Sequence, residues 1–224
     1  MNEKIAFLTT VFPMKEQYLY DFFDSLVEQT YNQFDIVVVN DGYKNFNKIK
    51  NKYKTLNIIE LPFSSTISKN REYGINYIVD NQYNILIFGD SDDYFSSNRV
   101  EKSLELLQTN DIVVNDLFLF DEHDVYCKKY ISNRISNKTQ VKHDFIKDKN
   151  IFGFTNTAIN IKILNMKVKF DKNLVAVDWF FYKNLLKLTF TAIFTSETET
   201  FYRQYESNTV GLKCDNNYLL WWEK

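Results

Sequence analysis

Three carboxylates lie close together in the segment Phe88-Gly-Asp-Ser-Asp-Asp-Tyr94. The apolar run Ile85–Phe88 predicts a strand inside a parallel sheet, so Asp90, Asp92 and Asp93 would emerge at its carboxyl end, where open α/β sheets bind ligands. Such carboxylates repel one another, which favours a divalent cation, and an oxygen-only set suits Mg²⁺ or Mn²⁺ better than Zn²⁺. The alternative is a solvated acidic turn that caps the next helix, and this motif alone does not decide between the two.

Two further segments could bind parts of a nucleotide. Val39-Asn-Asp-Gly42 follows another buried strand pattern, and Asp41 there could hydrogen-bond a base or a ribose. Ser68-Lys-Asn-Arg-Glu-Tyr-Gly74 lies near the start of a predicted helix, where Arg71 could donate bidentate hydrogen bonds to a phosphate. The alternatives are an ordinary Asn-Asp-Gly turn and a surface arginine that pairs with Glu72 or another neighbour.

A single acid stands among apolar residues in Val177-Asp178-Trp179, just where a helix pattern begins. A carboxyl group in such surroundings has a raised pKa, which suits a general base. The alternative is that Asp178 caps the amino terminus of the helix.

Strand and helix patterns that would position these side chains alternate through the first half of the chain. Strands are predicted at Ile5–Leu8, Ile36–Val39, Leu56–Leu61, Ile85–Phe88 and Ile112–Asn115. Helices are predicted at Lys15–Gln29, Phe46–Lys54 and Ile67–Val79, and Ser97 is expected to cap a further helix that runs through Leu107. Such alternation with short connections predicts an α/β fold with a mostly parallel central sheet and helices on both faces.

The alternation loosens beyond Asp116. The patterns there predict a hairpin, a short helix in a polar stretch, a helix over Asp178–Leu188 and two strands, Ala192–Phe194 and Thr200–Arg203. Because no repeat or Pro/Gly-rich linker interrupts the chain, we expect a single domain with a smaller carboxyl-terminal part.

Charge and composition exclude several classes of protein. The 224 residues carry 27 Lys and Arg against 29 Asp and Glu, which argues against a nucleic-acid binder with a basic face. The two cysteines, Cys127 and Cys214, match no zinc or redox spacing. Since no secretory leader pattern is present and the apolar runs are shorter than the roughly 18 residues of a membrane span, we expect a cytoplasmic protein.

The order of these motifs resembles that of the family 2 glycosyltransferases, which have the GT-A fold and transfer a sugar from a nucleotide-diphosphate donor. The resemblance extends over about residues 5–211, with every element in family order. The matching segments are Tyr18-Leu19, Ser25-Leu-Val-Glu-Gln-Thr-Tyr31, Ile36-Val-Val-Val-Asn-Asp-Gly42, Ser68-Lys-Asn-Arg-Glu-Tyr-Gly-Ile75, Phe88-Gly-Asp-Ser-Asp-Asp93, Val177-Asp178 and Tyr202-Arg-Gln-Tyr-Glu-Ser-Asn-Thr-Val-Gly211.

The resemblance implies a role for each matching residue. Asp41 would bind the nucleobase, and Arg71 would hold the base or a phosphate. Asp90 would lie near the ribose and the metal, while Asp92 would hold the metal that bridges the diphosphate. Asp178 would deprotonate the acceptor hydroxyl, which gives a single displacement with inversion at the anomeric carbon. The adjacent Asp93 would support the turn or the acceptor.

Three departures from the family pattern bear on these roles. The first turn reads Thr10-Val-Phe-Pro13 where the family has Pro-Thr-Tyr-Asn, so Thr10 and Phe12 would form an altered floor of the nucleotide pocket. Val177 stands where the family has a glutamate beside the catalytic aspartate. Tyr205 replaces a late histidine that is often a metal ligand, which implies fewer protein ligands and more water on the metal.

The resemblance therefore implies an inverting glycosyltransferase that uses Mn²⁺ or Mg²⁺, a nucleotide-diphosphate sugar, with a UDP-sugar favoured, and a glycan, surface-polysaccharide or lipid-linked acceptor. Residues 1–116 would form its nucleotide-sugar half and residues 117–224 its acceptor half. The alternative is a degenerate member that binds a nucleotide sugar or a protein partner without turnover. The aromatic end with Trp221-Trp222 could pack on the body, form a homodimer or contact the inner face of a membrane.

Overall fold

The computed structural model describes residues 3–122, 124–164 and 167–205. Its strands are β1 (Ile5–Val11), β2 (Asp35–Asn40), β3 (Asn57–Pro62), β4 (Ile85–Phe88), β5 (Tyr94–Phe95), β6 (Ile112–Phe120), β7 (Val125–Cys127), β8 (Gln140–Val141), β9 (Thr157–Asn160) and β10 (Ala192–Arg203). Its helices are α1 (Glu16–Val27), α2 (Phe46–Lys52), α3 (Ile67–Asp80), α4 (Arg99–Leu107), α5 (His143–Ile146) and α6 (Val177–Lys187), with a short 3-10 turn at Ile161–Ile163.

A single sheet runs through the described part of the chain in the order β3-β2-β1-β4-β9-β6-β10-β5, with β7 beside β6 and β8 beside β10. Strands β3, β2, β1 and β4 are mutually parallel. Strand β9 runs against both β4 and β6, and β10 is parallel to β6. Six of these eight strands therefore share one direction, which confirms the predicted mostly parallel sheet.

Successive side chains of the central strands are buried on opposite faces of the sheet. On β1, Ile5 and Phe7 pack with the apolar stripes of α1, α2 and α4, whereas Ala6 and Leu8 pack with α3, α5 and α6. A strand covered on both faces needs apolar residues at every position, which is why these strands read as continuous apolar runs. The predicted helices on both faces are confirmed. Within the described ranges, no helix is both long and apolar enough to cross a membrane.

The carboxyl-terminal half differs from the sequence prediction in two places. The two predicted strands near the end are one strand, β10, whose pairing with β6 shifts register between Thr195 and Glu199. Strand β6 runs on to Phe120 instead of ending at Asn115, because the buried carboxylate of Asp116 is bonded by backbone N–H groups, among them that of Leu117. A polar pair inside a buried strand therefore looks like a strand end in the sequence.

Helix α4 also begins later than predicted. The expected cap was Ser97, but the helix starts at Arg99 and the residue before it is Asn98, without a side-chain capping bond in this part of the structure.

Gly89 joins β4 to the carboxylate segment at a point where a side chain has no room. A Cβ atom there would lie 2.5 Å from Phe7 Cε1 and 2.6 Å from Phe95 Cζ. Gly89→Ala is therefore expected to lower the free energy of unfolding by about 1–3 kcal/mol, measured by urea denaturation. Gly42→Asn is the control. A Cβ atom at Gly42 would have no other atom within 4 Å, and asparagine tolerates the φ of +83° at this position. Equal losses in the two variants would contradict the expected clash.

Candidate active site

The segments that follow β1, β2 and β4 are held side by side at the carboxyl edge of the sheet. The N–H of Asp41, just after β2, donates to Val11 O at 2.7 Å. The buried Ser91 hydroxyl, just after β4, donates to Thr10 O at 2.7 Å. These bonds bring three of the sequence-predicted segments together at one edge.

The side chain of Asp41 is fixed from both of its oxygens. Oδ1 accepts from the hydroxyl of Ser64, and Oδ2 accepts from Nδ2 of Asn70 at 2.7 Å. Next to it along the sheet edge, Phe12 exposes 38% of its surface, and Thr10 Oγ1 is buried without a hydrogen-bond partner among the described residues. This edge of the sheet thus offers the exposed ring of Phe12, the fixed carboxylate of Asp41 and the hydroxyl of Thr10, and these groups could bind a nucleoside.

Arg71 reaches from α3 across to the carboxylate segment. Its Nη2 donates to Asp90 Oδ1, and its guanidinium carbon lies 5.3 Å from the ring centroid of Phe154. Its Nη1 is buried with no hydrogen-bond partner in the described chain. The alternative pairing of Arg71 with Glu72 is absent there, since Glu72 binds Lys69 instead. Arg71 therefore keeps a donor that an anionic ligand could use.

Asp92 is partly buried and held by the end of β10. Its Oδ2 accepts from the hydroxyl of Tyr205 at 2.7 Å, and its backbone carbonyl accepts from Arg203 Nε at 2.7 Å. Burial, together with the charge of Asp90, raises the pKa of Asp92 above its ordinary value. A cation beside this carboxylate would offset both causes.

Both carboxylate oxygens of Asp93 accept hydrogen bonds inside the protein. Its carboxylate is fully buried and accepts from Thr155 Oγ1 at 2.5 Å and from the N–H of Arg203 at 2.8 Å. Burial, then the charges of Asp92 and Asp90, raise its pKa well above the ordinary value. Asp93 thus ties the carboxylate segment to β10 and to the segment before β9.

Asp178 lies in the first turn of α6. It is not the helix cap: the capping position is Ala176, and Asp178 Oδ1 accepts from the N–H of Trp179 at 2.7 Å. The pKa of Asp178 is raised to about 6, chiefly by burial and less by the charge of Asp90, against the lowering effects of the Trp179 N–H and of Arg71. The structure therefore brings Asp178 within electrostatic reach of the carboxylate segment, although 85 residues separate Asp178 from Asp93 in the sequence.

The hydroxyl of Tyr202, on β10, reports the same convergence. Its pKa is raised well above the ordinary value by burial and then by the carboxylates of Asp93, Asp90, Asp92 and Asp178. All four carboxyl groups therefore lie within electrostatic range of this hydroxyl. Carboxyl groups held this close together favour a cation that offsets their repulsion.

Arg99 is a site-supporting residue that the sequence prediction missed. It is fully buried, and its guanidinium donates to Thr155 O at 2.9 Å, Thr200 Oγ1 at 2.8 Å and Phe88 O at 3.0 Å. Burial lowers its pKa to about 9. These bonds join β4, β10 and the segment before β9 beneath the carboxylates. In the sequence, Arg99 looks like any charged residue in the first turn of a helix, so no signal marked it.

Asp90 and Asp92 fit a hard divalent cation as two protein ligands of a shell that other oxygens would complete. Asp90 and Asp92 are oxygen donors, which Mg²⁺ and Mn²⁺ prefer. No group of three or more His, Cys, Asp or Glu side chains within the described ranges is arranged to hold a metal. Histidine is another common metal ligand. His143 begins α5, with its Nδ1 3.9 Å from Asp144 Oδ1, and His123 falls outside the described residues. Diphosphate and water oxygens would have to complete the shell.

Removing the charge of Asp178 is expected to stabilise the protein. Because its pKa rises from the ordinary 3.8 to about 6, its contribution to stability is fully present below about pH 4 and is lost as pH rises through about 6. Asp178→Asn should therefore raise the free energy of unfolding at about pH 8 by up to about 3 kcal/mol, and by much less at about pH 4.5. Urea denaturation at the two pH values checks this. Equal stability of variant and wild type at the higher pH would contradict the burial of a charged carboxylate.

Comparison with known proteins places the chain in a family. Residues 9–164 match the family model described as glycosyl transferase family 2, so the chain belongs to that family. No curated protein matches the chain. The predicted family is thereby confirmed.

Solved structures of S. aureus TarS share the fold. TarS 1-349 in complex with UDP-GlcNAc is 18% identical, with a TM-score of 0.70 over 92% of this chain and 60% of that one. TarS 1-349 in complex with UDP is 17% identical, with a TM-score of 0.70 over 90% and 60%. The chain therefore spans about 60% of the length of these structures. This likeness confirms the GT-A fold.

The last matching segment is only partly described. Tyr202 to Tyr205 complete and follow β10, whereas residues 206–211 and the Trp221-Trp222 end lie outside the described residues. The packing, homodimer and membrane-contact alternatives for that end therefore stay predictions.

Proposed function

We propose that this family 2 member is an inverting glycosyltransferase that moves a sugar from a UDP-sugar to a glycan, surface-polysaccharide or lipid-linked acceptor. The observation that carries the proposal is the convergence of Asp41, Arg71, Asp90 and Asp92 at the carboxyl ends of β1, β2 and β4, with Asp178 within electrostatic reach of Asp90 and Arg71. The UDP-GlcNAc and UDP complexes of TarS, which shares the fold, support a UDP donor.

In this proposal the chain forms one domain. Residues 1–116 hold the nucleotide sugar, with the base near Asp41, Thr10 and Phe12, and residues 117–224 hold the acceptor. The protein works in the cytoplasm, where it can meet lipid-linked acceptors at the inner face of the membrane.

Asp92, with Asp90 beside it, would hold a Mn²⁺ or Mg²⁺ ion that screens the charge on the departing diphosphate. Arg71, whose Nη1 has no hydrogen-bond partner among the described residues, would add a second positive charge. Asp178 accepts the proton of the acceptor hydroxyl as that oxygen attacks the anomeric carbon and the bond to the diphosphate breaks. With a pKa of about 6, Asp178 is ionised at neutral pH and basic enough to take the proton. Attack opposite the leaving group inverts the anomeric configuration.

The alternative of a degenerate member without turnover has two motivating observations. Val177, buried on α6, replaces the family glutamate, and Tyr205 donates to Asp92 in place of a metal-binding histidine. The raised pKa of Asp178, about 6, favours turnover, because it suits a general base at neutral pH.

The proposal is tested by thermal unfolding against UDP, GDP, CDP, ADP and dTDP, each with and without Mn²⁺. A ligand that binds only the native state adds about 2.7 kcal/mol at a hundredfold excess over its Kd. UDP should raise the Tm most, and Mn²⁺ should increase the rise. No shift with any nucleotide would contradict a working donor site and favour a protein partner instead.

A further inference from the structure

The end of β10 holds both the backbone and the side chain of Asp92. Arg203 Nε donates to the Asp92 carbonyl, and the Tyr205 hydroxyl donates to Asp92 Oδ2, each at 2.7 Å. The two bonds come from residues two positions apart on the same segment. Asp92 therefore has little freedom to rotate about its backbone or its side-chain bonds.

Tyr205 is itself positioned by packing against α1. Its ring centroid lies 5.9 Å from that of Tyr18, and the guanidinium carbon of Arg203 lies 4.2 Å from the Tyr18 ring centroid. Arg203 also donates to Asp21 Oδ2, so α1 and the end of β10 are joined on this side. The hydroxyl that reaches Asp92 thus belongs to a packed aromatic and ionic cluster.

We propose that Tyr205 is a positioning residue of the metal site, which acts through Asp92 and does not touch the cation. A neutral phenol is a poor ligand for a hard cation, but it is a good donor to a carboxylate. With Oδ2 held by the hydroxyl, Oδ1 is left to bind the cation in a fixed orientation. Hydrogen bonds to ligating carboxylates commonly change metal affinity 10–100-fold. The inference rests on the proposed function, in which Asp92 holds the metal.

Tyr205→Phe tests the inference because it removes the hydroxyl and keeps the ring. Mn²⁺ affinity is measured in the presence of saturating UDP by the electron paramagnetic resonance signal of free Mn²⁺. We expect Tyr205→Phe to bind Mn²⁺ roughly 10-fold more weakly than wild type. Tyr20→Phe is the matched control, because Tyr20 makes the same kind of bond at the same length, 2.7 Å, to Glu16 on α1. The control should bind Mn²⁺ as wild type does.

Asp92→Asn separates failure of this inference from failure of the proposed function. If Asp92→Asn loses Mn²⁺ affinity while Tyr205→Phe matches the control, the metal site stands and the role of Tyr205 is wrong. Tighter Mn²⁺ binding by Tyr205→Phe would overturn it as well, because the hydroxyl would then compete with the cation. If wild type binds no Mn²⁺ with UDP, or Asp92→Asn binds it equally well, the metal role of Asp92 fails and the inference fails with it.

Discussion

Asp178→Asn is expected to lower the kcat of sugar transfer by roughly 10²–10⁴-fold while the affinity for the UDP-sugar changes by less than about twofold. Asparagine keeps the shape of the side chain and can still accept from the N–H of Trp179, but it cannot take a proton. Transfer is measured as UDP release, with donor binding measured separately by calorimetry. A loss in kcat alone identifies a group that acts in the chemical step.

The pH dependence gives a second readout of the same group. Because the base must be ionised, and burial raises its pKa to about 6, the kcat of the wild type should fall as pH drops through about 6. Asp171→Asn is the matched control, since Asp171 is an exposed aspartate whose Oδ1 accepts from the N–H of Asn173 in the segment before α6. The control should keep the wild-type rate and pH profile. Wild-type kcat in Asp178→Asn near pH 7.5 would show that another group is the base.

Asp92→Asn is expected to lower kcat/KM by roughly 10²–10³-fold, the usual effect of removing one electrostatic contact to developing charge. The same change should abolish the extra affinity that Mn²⁺ gives to UDP. The physical reason is that an amide side chain at this position would carry no charge with which to hold a divalent cation. Calorimetric titration of UDP with and without Mn²⁺ measures the second effect directly.

A control for Asp92→Asn is available on the same helix as Arg71. Asp80→Asn removes a carboxylate at the far end of α3, where Asp80 makes a surface ion pair with Lys167. That pair contributes little to stability, so this variant should keep both the rate and the Mn²⁺ effect. If Asp92→Asn kept the Mn²⁺ effect while the rate fell, the carboxylate would act in some way other than through the metal.

The first half of the fold was predictable because its strands are buried on both faces and its helices have one apolar stripe. Ile85–Phe88 was predicted to the residue, since four apolar residues are bounded by a polar residue and a glycine. The second half was less predictable because polar residues lie inside its strands. Asp116 interrupts the pattern of β6 yet is buried and satisfied by backbone N–H groups that no local sequence rule reveals.

Some residues of the candidate site could likewise be predicted from the sequence, and others could not. Asp41 and the Asp90 segment lie directly after buried strands, so the sequence alone predicts that they share an edge of the sheet. Asp178 joins them only through tertiary packing, and family resemblance was the signal that paired it with the others. The bonds of Thr155 and Arg203 to Asp93 span 62 and 110 residues, so no spacing in the sequence could indicate them.

A crystal structure with UDP and Mn²⁺, with the metal located by its anomalous scattering, tests the central claim most directly. The account predicts the uracil beside Asp41, the diphosphate between Arg71 and Asp92, and the metal on Asp92, with Asp178 facing the outer phosphate. A nucleotide bound away from the carboxyl ends of β1, β2 and β4, or a metal away from Asp92, would contradict it.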